Sequence, residues 1–455
     1  MGATTVQEIF KRYDVRGIYP SDLNEELAYQ IGFEFVKLLK ASTVALGRDM
    51  RLSGEKLFTA LTAGIADSGA KVIDIGLVST DALYFAVGKF GYDGGIMLTA
   101  SHNPAEYNGM KFTGKNAEAL SLETGLAEIR DAILLGRAPK YNCQVADESK
   151  VEKKNVLEDF AKHCLSFIDL KTIKRFKIAI DTGNGMGGQI VPPVFKNLPC
   201  EVIPMYFELD GSFPNHPANP LEPDNIRDLQ ETVKANKCDL GVAFDGDADR
   251  MFILDERGEL VSGDIVTALV AINTLKQFPK QKILYNVVCS QTVPEVIIAN
   301  GGTPHRAPVG HSLIKRIMRD EDIIFGGEHS GHFYFRDNWY ADSGMIALLQ
   351  CLQVFSEAGR PVSQVIEPID TRFRSGEINR KVADIPAAIE RLEQHHAAAG
   401  AELDHMDGVT IRYPDWWMNI RSSNTEPLLR INIEAKSAAE VQAKLEAVLE
   451  LLQRS

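Results

Sequence analysis

Short apolar runs that end in polar turns recur along the chain, at residues 43–49 (T-V-A-L-G-R-D), 177–183 (K-I-A-I-D-T-G) and 282–288 (K-I-L-Y-N-V-V). A stretch with helical spacing follows each run, such as Leu57, Leu61 and Ile65 behind the N-cap candidate Ser53. Each unit then has a second strand: 71–76 (K-V-I-D-I-G), 201–206 (E-V-I-P-M-Y) and, less regularly, 303–309 (T-P-H-R-A-P-V). Each later runs a strand into a polar loop, at 95–104 (G-I-M-L-T-A-S-H-N-P), 240–250 (L-G-V-A-F-D-G-D-A-D-R) and 323–332 (I-I-F-G-G-E-H-S-G-H). This spacing predicts three similar α/β domains, with mixed, largely parallel sheets covered by helices on both faces. Ligands collect at the carboxyl ends of such strands, so the three polar loops are placed to face one central cleft.

From about residue 368 the pattern changes. A strand at 377–382, a helix carrying Ile389 and Leu392, and strands near 409–412 and 417–420 precede the loop R-S-S-N-T-E-P (421–427). A strand at 428–433 follows, then a last helix with a capping box of Ser437 and Glu440. Its inner face carries Val441, Leu445, Val448, Leu449 and Leu452. These make a smaller C-terminal α+β domain. The expected division is 1–147, 148–252, 253–367 and 368–455, with the charged stretch 148–154 as a solvated linker.

Composition narrows the function classes. The 455 residues hold 49 Lys and Arg against 62 Asp and Glu, a net charge of −13. That excludes a nucleic-acid-wrapping or polybasic membrane-surface protein. Apolar content of 45% and charged content of 24% are those of a globular chain. Six scattered cysteines without a C-x-x-C pair fit reduced thiols in the cytoplasm. No apolar run approaches the roughly 18 residues of a membrane span, and residues 1–10 lack a signal-peptide core. The expectation is a cytoplasmic protein that binds neither membrane nor nucleic acid.

The loops carry the chemistry. Asp245, Asp247 and Asp249 alternate directly after an apolar strand; if the loop curls, their hard oxygens converge on a cation such as Mg²⁺. A solvated acidic turn is the plainer alternative. Ser101 beside His102 suggests a nucleophile, but the G-x-S-x-G elbow is missing, and on local grounds a loop serine is the plainer reading. Residues 109–116 (G-M-K-F-T-G-K-N) fall one residue short of a phosphate-binding P-loop. Gly183, Gly185 and Gly188 satisfy G-x-G-x-x-G, with Glu201 further on, which opens an NAD(P)-linked oxidoreductase as an alternative. Against it, Asp181 and Thr182 separate strand from glycine, and Pro192 and Pro193 are expected to interrupt the helix. In G-E-H-S-G-H (327–332), Glu328 and Ser330 on extended backbone would point the same way and grip neighbouring sugar hydroxyls. The loop 421–427, with Arg430 beyond it, has the donors of a phosphate cradle. Near the start, F-K-R-Y-D-V-R-G places Arg12, Tyr13 and Arg16 before a turn.

Taken in order, the strings 99–104, 245–250, 327–332 and 421–427 resemble those of the α-D-phosphohexomutases, most closely the bacterial phosphomannomutase/phosphoglucomutase group. The resemblance spans essentially the whole chain and implies four domains around a deep cleft. It implies that Ser101 carries a phosphoryl group and that Mg²⁺ binds Ser101, Asp245, Asp247 and Asp249. It further implies interconversion of hexose 1- and 6-phosphates through a 1,6-bisphosphate, which also serves as activator. Glu328 and Ser330 would hold the sugar, while Arg421, Ser423, Asn424 and Thr425, with Arg430, would hold the phosphate not in transfer. Arg16, Lys111 and His332 would stand near the reacting oxygen; Tyr13, Arg250 and His311 would line the cleft. Many members have a lysine where this chain has Val288, so one cationic contact is missing or supplied elsewhere. Phosphoglucosamine mutase is the alternative within the family, and His329, where that enzyme would have Gln, leans against it. The substrate is a small phosphosugar, and no obligate protein partner is implied. An anionic substrate also requires a cleft whose charge opposes the bulk −13, through Arg16, Lys111, Arg250, Arg421, Arg430, the metal and any protonated histidines.

Overall fold

The structure, a computed structural model, describes residues 5–142, 146–422 and 428–453. Its strands, numbered along the chain, fall into four sheets. The first has β1 (Val15–Ile18), β2 (Thr43–Arg48), β3 (Lys71–Leu77), β4 (Gly94–Leu98), β5 (Tyr107–Gly114) and β6 (Val151–Lys153), in the order β1-β5-β4-β2-β3-β6. Strands β2, β3, β4 and β6 are parallel; β5 and β1 are antiparallel additions. The second sheet joins β7 (Lys177–Asp181), β8 (Glu201–Met205), β9 (Leu240–Phe244), β10 (Met251–Leu254) and β11 (Leu260–Val261) in the order β11-β10-β9-β7-β8. The third joins β12 (Lys282–Asn286), β13 (Thr303–Ala307), β14 (Phe325–Gly327) and β15 (Phe333–Phe335) in the order β13-β12-β14-β15. Each has a parallel centre with antiparallel strands on one side, the expected mixed arrangement.

The fourth sheet is antiparallel throughout: β16 (Phe373–Arg374), β17 (Ile378–Arg380), β18 (Glu402–Asp404), β19 (Val409–Arg412), β20 (Trp416–Ser422) and β21 (Leu429–Ala435), with β21 central. Helices Ile385–Ala398 and Ala438–Gln453 cover it, giving the smaller α+β unit. In the last helix Ser437 Oγ accepts Glu440 N–H at 3.2 Å, and Val441 and Val448 are buried as the spacing required.

Three local expectations are corrected. The stretch 148–154 is no free linker: β6 lies in it and extends the first sheet beside β3. Its charged residues are tolerated because β6 is an edge strand, where Lys71 also pairs with Glu152 at 2.7 Å. The boundary near 252 falls within β10 and that near 147 just before β6, so both sheets run past them. Ser53 precedes helix Gly54–Asp67 but makes no capping bond; its hydroxyl accepts from Asn108 Nδ2 at 2.8 Å.

One apolar core runs through the first three units, from Ala45 and Phe85 through Ile180 and Phe244 to Phe325 and Phe355. The C-terminal unit has its own core around Leu392, Ile411, Ile420 and Ile431. Polar links join it to the third unit, among them Arg306 to Asp404, Arg306 Nη2 to Thr410 Oγ1 at 2.9 Å, and Val309 N to Asp407 Oδ2 at 2.9 Å.

Asp81, buried in helix Thr80–Phe90, ties the first unit to the third. Its carboxylate accepts from Ser79 Oγ and, at 2.6 Å, from Ser343 Oγ, whose residue caps helix Gly344–Ala358. Burial pushes Asp81 up to about 7, against the two serine donors. The folded protein therefore holds a proton that the unfolded chain releases near pH 4, so stability falls as pH rises from about 4 and the loss is complete above about 7. Asp81→Asn is expected to flatten the melting-temperature profile between pH 4 and 7, worth up to roughly 4 kcal/mol across the window. Parallel profiles for the two proteins would refute this.

Candidate active site at the strand ends

Ser101 stands three residues beyond β4 with φ of +50°, a left-handed conformation that a non-glycine residue adopts at a cost of about 1–3 kcal/mol. Its N–H donates to Thr99 Oγ1 at 2.9 Å. Its hydroxyl donates to Asp245 Oδ2 at 2.9 Å, lies 3.2 Å from His102 Nδ1 and accepts from Arg250 Nη2 at 3.4 Å. Burial, with the Arg250 charge, holds His102 well below the usual imidazole range, so the ring is neutral. Arg16 lies within β1, just ahead of the turn at 19–22, and reaches the same loop: Nε donates to Asp14 at 2.8 Å and Nη1 to Ala100 O and Asn103 Oδ1.

The loop after β9 curls as the cation reading requires. Ala248 is left-handed, with its N–H on Asp245 O at 3.1 Å. One carboxylate oxygen from each of Asp245, Asp247 and Asp249 lies within 4.8 Å of the others, and all three residues are buried. Gly246 is needed here because a Cβ would come within 2.5 Å of Ser101 O. Lys111 Nζ contacts Asp247 Oδ2 at 2.6 Å and Asp249 Oδ2 at 2.5 Å, while Arg250 Nε donates to Asp245 Oδ2 at 2.8 Å. Burial and the neighbouring Asp247 push Asp249 up to about 6. Burial acts on Asp247 in the same sense, but Lys111 outweighs it and the carboxyl falls below its usual range. Burial would lower Lys111; the two aspartates prevail and keep it charged well above neutrality. Asp247 Oδ1 and Asp249 Oδ1 are buried without a hydrogen-bond partner among the described residues. Orphaned hard oxygens beside a hydroxyl fit a divalent cation.

The third unit contributes a histidine cluster. His332 Nδ1 contacts Asp342 Oδ2 at 2.8 Å, and Asp342 pairs with Lys315 at 2.6 Å. Burial works against the charged ring, but the Asp342 hydrogen bond raises His332 above its usual range. His311, 6.2 Å away ring to ring, is held well below its range by burial and Lys315. Tyr13 packs edge-on against His311 at 5.0 Å. Glu328 is buried and accepts from Asn286 Nδ2 at 3.1 Å and from Tyr334 OH, leaving acceptor capacity on both oxygens. Residues 329–330 form a turn rather than the extended backbone expected, so Ser330 is presented by a turn, half-buried. Val288 is buried, its N–H on Asn286 Oδ1 at 3.3 Å.

Arg421 on β20 and Arg430 on β21 are cross-strand partners, and both contact Glu377, at 2.7 and 3.4 Å. Ser423, Asn424 and Thr425 lie outside the described residues. The structure thus joins Ser101, the aspartates, Arg250 and Lys111 directly, brings Arg16 onto the loop that carries Ser101, and sets His332 beside Asp249.

Four successive domains of the phosphoglucomutase/phosphomannomutase family match: α/β/α domain I at residues 7–136, domain II at 157–258, domain III at 262–372 and the C-terminal domain at 377–451. The chain belongs to the phosphoglucomutase/phosphomannomutase family. A protein named phosphohexose mutases from Xanthomonas campestris pv. campestris is 40% identical over 445 residues, covering 97% of this chain and 98% of its own. A phosphomannomutase of Escherichia coli K12 is 39% identical over 453 residues, with 97% and 98% coverage. The crystal structure of a phosphoglucomutase/phosphomannomutase family protein from Burkholderia thailandensis superimposes with a TM-score of 0.89 at 30% identity, covering 99% of this chain and 98% of its own. The four-domain phosphohexomutase architecture is therefore that of this chain, which is an enzyme of the phosphotransferase isomerase kind.

Family membership disposes of the alternatives from other classes, and the geometry agrees. A Cβ on Gly185 would meet Gly246 O at 2.6 Å and one on Gly188 would meet Phe207 O at 2.0 Å. The glycines that suggested a dinucleotide site thus admit the protein's own backbone, and Gly185 abuts the aspartate loop. Pro192 and Pro193 do not interrupt the helix; Gly187–Phe195 runs through both. Residues 109–114 of the P-loop-like string lie within β5. Sequence reasoning missed Arg51, Thr80, Lys315, Asp342 and Glu377. Only Arg51 had a local signal, standing in R-D-M-R just beyond a strand end.

Proposed function

We propose that this mutase interconverts the 1- and 6-phosphates of both mannose and glucose, with Ser101 as phosphoryl carrier. The observation that carries the reading is the strained Ser101, its hydroxyl on Asp245 and beside Arg250, meeting the aspartate loop of another unit. In the forward half-reaction the bond between phosphorus and Ser101 Oγ breaks, and a bond to a hydroxyl of the bound hexose phosphate forms. The hydroxyl proton passes to a neighbouring base. The resulting 1,6-bisphosphate reorients and returns its other phosphate to Ser101; added bisphosphate serves as activator. Asp245, Asp247 and Asp249 would hold Mg²⁺, which supplies charge neutralisation at the phosphoryl oxygens.

The chain's own groups supply the rest. Lys111, held charged by two aspartates, acts as electrostatic support at the reacting oxygen. His332, with Nδ1 fixed by Asp342, keeps Nε2 for proton transfer. Arg16 holds the serine loop and its oxygens' surroundings. Glu328 and Ser330 take the sugar O3 and O4, with Tyr13 and His311 along the wall. Arg421, Ser423, Asn424, Thr425 and Arg430 take the idle phosphate. A cytoplasmic location fits the described cysteines, all of them free, and the lack of any described helix long and apolar enough to cross a membrane.

Mannose and glucose differ at C2, while the grips are on O3 and O4, so kcat/KM for the two 1-phosphates is expected to agree within about tenfold, one decade being about 1.4 kcal/mol. Glucosamine 1-phosphate is expected to be slower than either. Coupled assays of the three side by side decide this; a preference for the amino sugar overturns it.

A further inference from the structure

Arg51 occupies a position no described function explains. Its side chain is fully excluded from solvent, as is that of Asp49, which meets Nε at 3.2 Å. Burying a guanidinium is costly unless its donors are all engaged. Here they are engaged by backbone: Nη1 donates to Pro104 O at 2.7 Å and Tyr107 O at 2.9 Å, Nη2 to Ser101 O at 2.8 Å and Asn103 O at 2.7 Å. Three of those carbonyls belong to the loop that carries Ser101, and the fourth, Tyr107 O, is where β5 leaves it. Asp49 completes the frame, taking Arg51 N–H at 3.1 Å and giving its own N–H to Leu98 O at 2.9 Å, at the base of the loop.

We propose that Arg51, braced by Asp49, is the positioning residue that holds Ser101 in its left-handed, transfer-ready conformation. The proposal rests on the reading of Ser101 as phosphoryl carrier. A planar peptide fixes the N–H of the next residue opposite each carbonyl. Anchoring Ser101 O and Pro104 O therefore also sets the directions of the His102 and Ala105 N–H groups. The fork collects carbonyl oxygens, whose negative ends would otherwise be free to turn toward an incoming phosphate. Gly246 of the aspartate loop packs against the same Ser101 carbonyl, so the anchor also sets the spacing between hydroxyl and aspartates. Lysine cannot reproduce it, because one ammonium with three donors cannot span four acceptors in a plane.

The test uses Arg51→Lys in the full-length enzyme, with turnover expressed per folded molecule, and Asp49→Asn as a second variant that keeps the fork but loosens its brace. Three quantities are read: steady-state kcat and KM, phosphoryl uptake at Ser101 from glucose 1,6-bisphosphate by intact mass, and amide hydrogen exchange of residues 99–109. Arg51→Lys is expected to lower kcat at least about 30-fold, or about 2 kcal/mol, with KM within about threefold. Exchange should rise in the serine loop alone, and Asp49→Asn should give a smaller change of the same kind. A kcat per folded molecule within threefold of wild type, in either variant that folds, overturns the proposal. So does loss of protection spread evenly over the chain. If wild-type Ser101 takes up no phosphoryl group, the carrier reading fails first; if it does and Arg51→Lys turns over normally, only the role of Arg51 fails.

Discussion

Ser101→Ala is expected to lower kcat at least about 10⁴-fold, even with saturating hexose 1,6-bisphosphate, because no group remains to carry phosphorus between the two half-reactions. Folding should survive the change. Asp245 Oδ2 loses the serine hydroxyl but keeps Arg250 Nε at 2.8 Å, so no buried carboxylate is orphaned. Affinity for hexose phosphate should stay within about threefold, since the proposed sugar and phosphate grips lie in the third and fourth units. The variant should take no label from bisphosphate. More than about 1% residual kcat in Ser101→Ala, freed of wild-type contamination, would exclude a covalent route through this residue.

What could be read from the chain depended on how local the chemistry is. The aspartates at 245, 247 and 249 lie within five residues of one another, and a curl of one loop is enough to converge them. Ser101 and Glu328 likewise stand at the mouths of strands whose apolar runs announce them. The groups that orient these residues come from elsewhere in the chain. Asp342 reaches His332 from the opening of the next helix, Thr80 reaches Asp247 across 167 positions, and Glu377, just ahead of β17, meets two arginines on β20 and β21. A lone Asp or Glu in such a place has no pattern to read.

The same distinction explains the misplaced fold elements. Strand β6 is charged and three residues long; only the exposed edge of β3 makes it a strand. Pro192 and Pro193 argued against a helix on local grounds. Yet Ile190, Val191 and Val194 bury there, and packing outweighs the two ladder bonds forgone. No apolar run around Arg16 announces the strand ahead of its turn; β1 is fixed by its pairing with β5, Arg16 opposite Gly109.

The charge of the site leads to the second large effect. The requirement that the cleft oppose a bulk charge of −13 falls on its basic side chains and the metal together, and the described side-chain cations already face carboxylates: Arg16 with Asp14, Lys111 with Asp247 and Asp249, Arg250 with Asp245, Arg421 with Glu377. Around Ser101, three aspartates against Lys111 and Arg250 leave −3 + 2 = −1 when all are ionised. A phosphoserine adds roughly −1.5 to −2, so the phosphoryl transfer proposed there would need a divalent cation on the aspartates.

Asp247→Asn removes one of the three charges and one of the orphaned oxygens, and is expected to lower kcat about 10²–10³-fold. A readout independent of turnover is thermal stabilisation by Mg²⁺, which wild type should show and the variant should show only at much higher concentration. The pH dependence follows from Asp249, pushed up to about 6. Below that pH a proton competes with the cation for its carboxylate, so the half-saturating Mg²⁺ concentration should rise as pH falls from 7 to 5. Above pH 7 it should be flat. Equal stabilisation of Asp247→Asn and wild type at the same Mg²⁺ concentration would mean that the cation binds elsewhere. In that case Lys111 and Arg250 alone would have to balance the phosphoryl group, and with every aspartate ionised they are one charge short before it arrives.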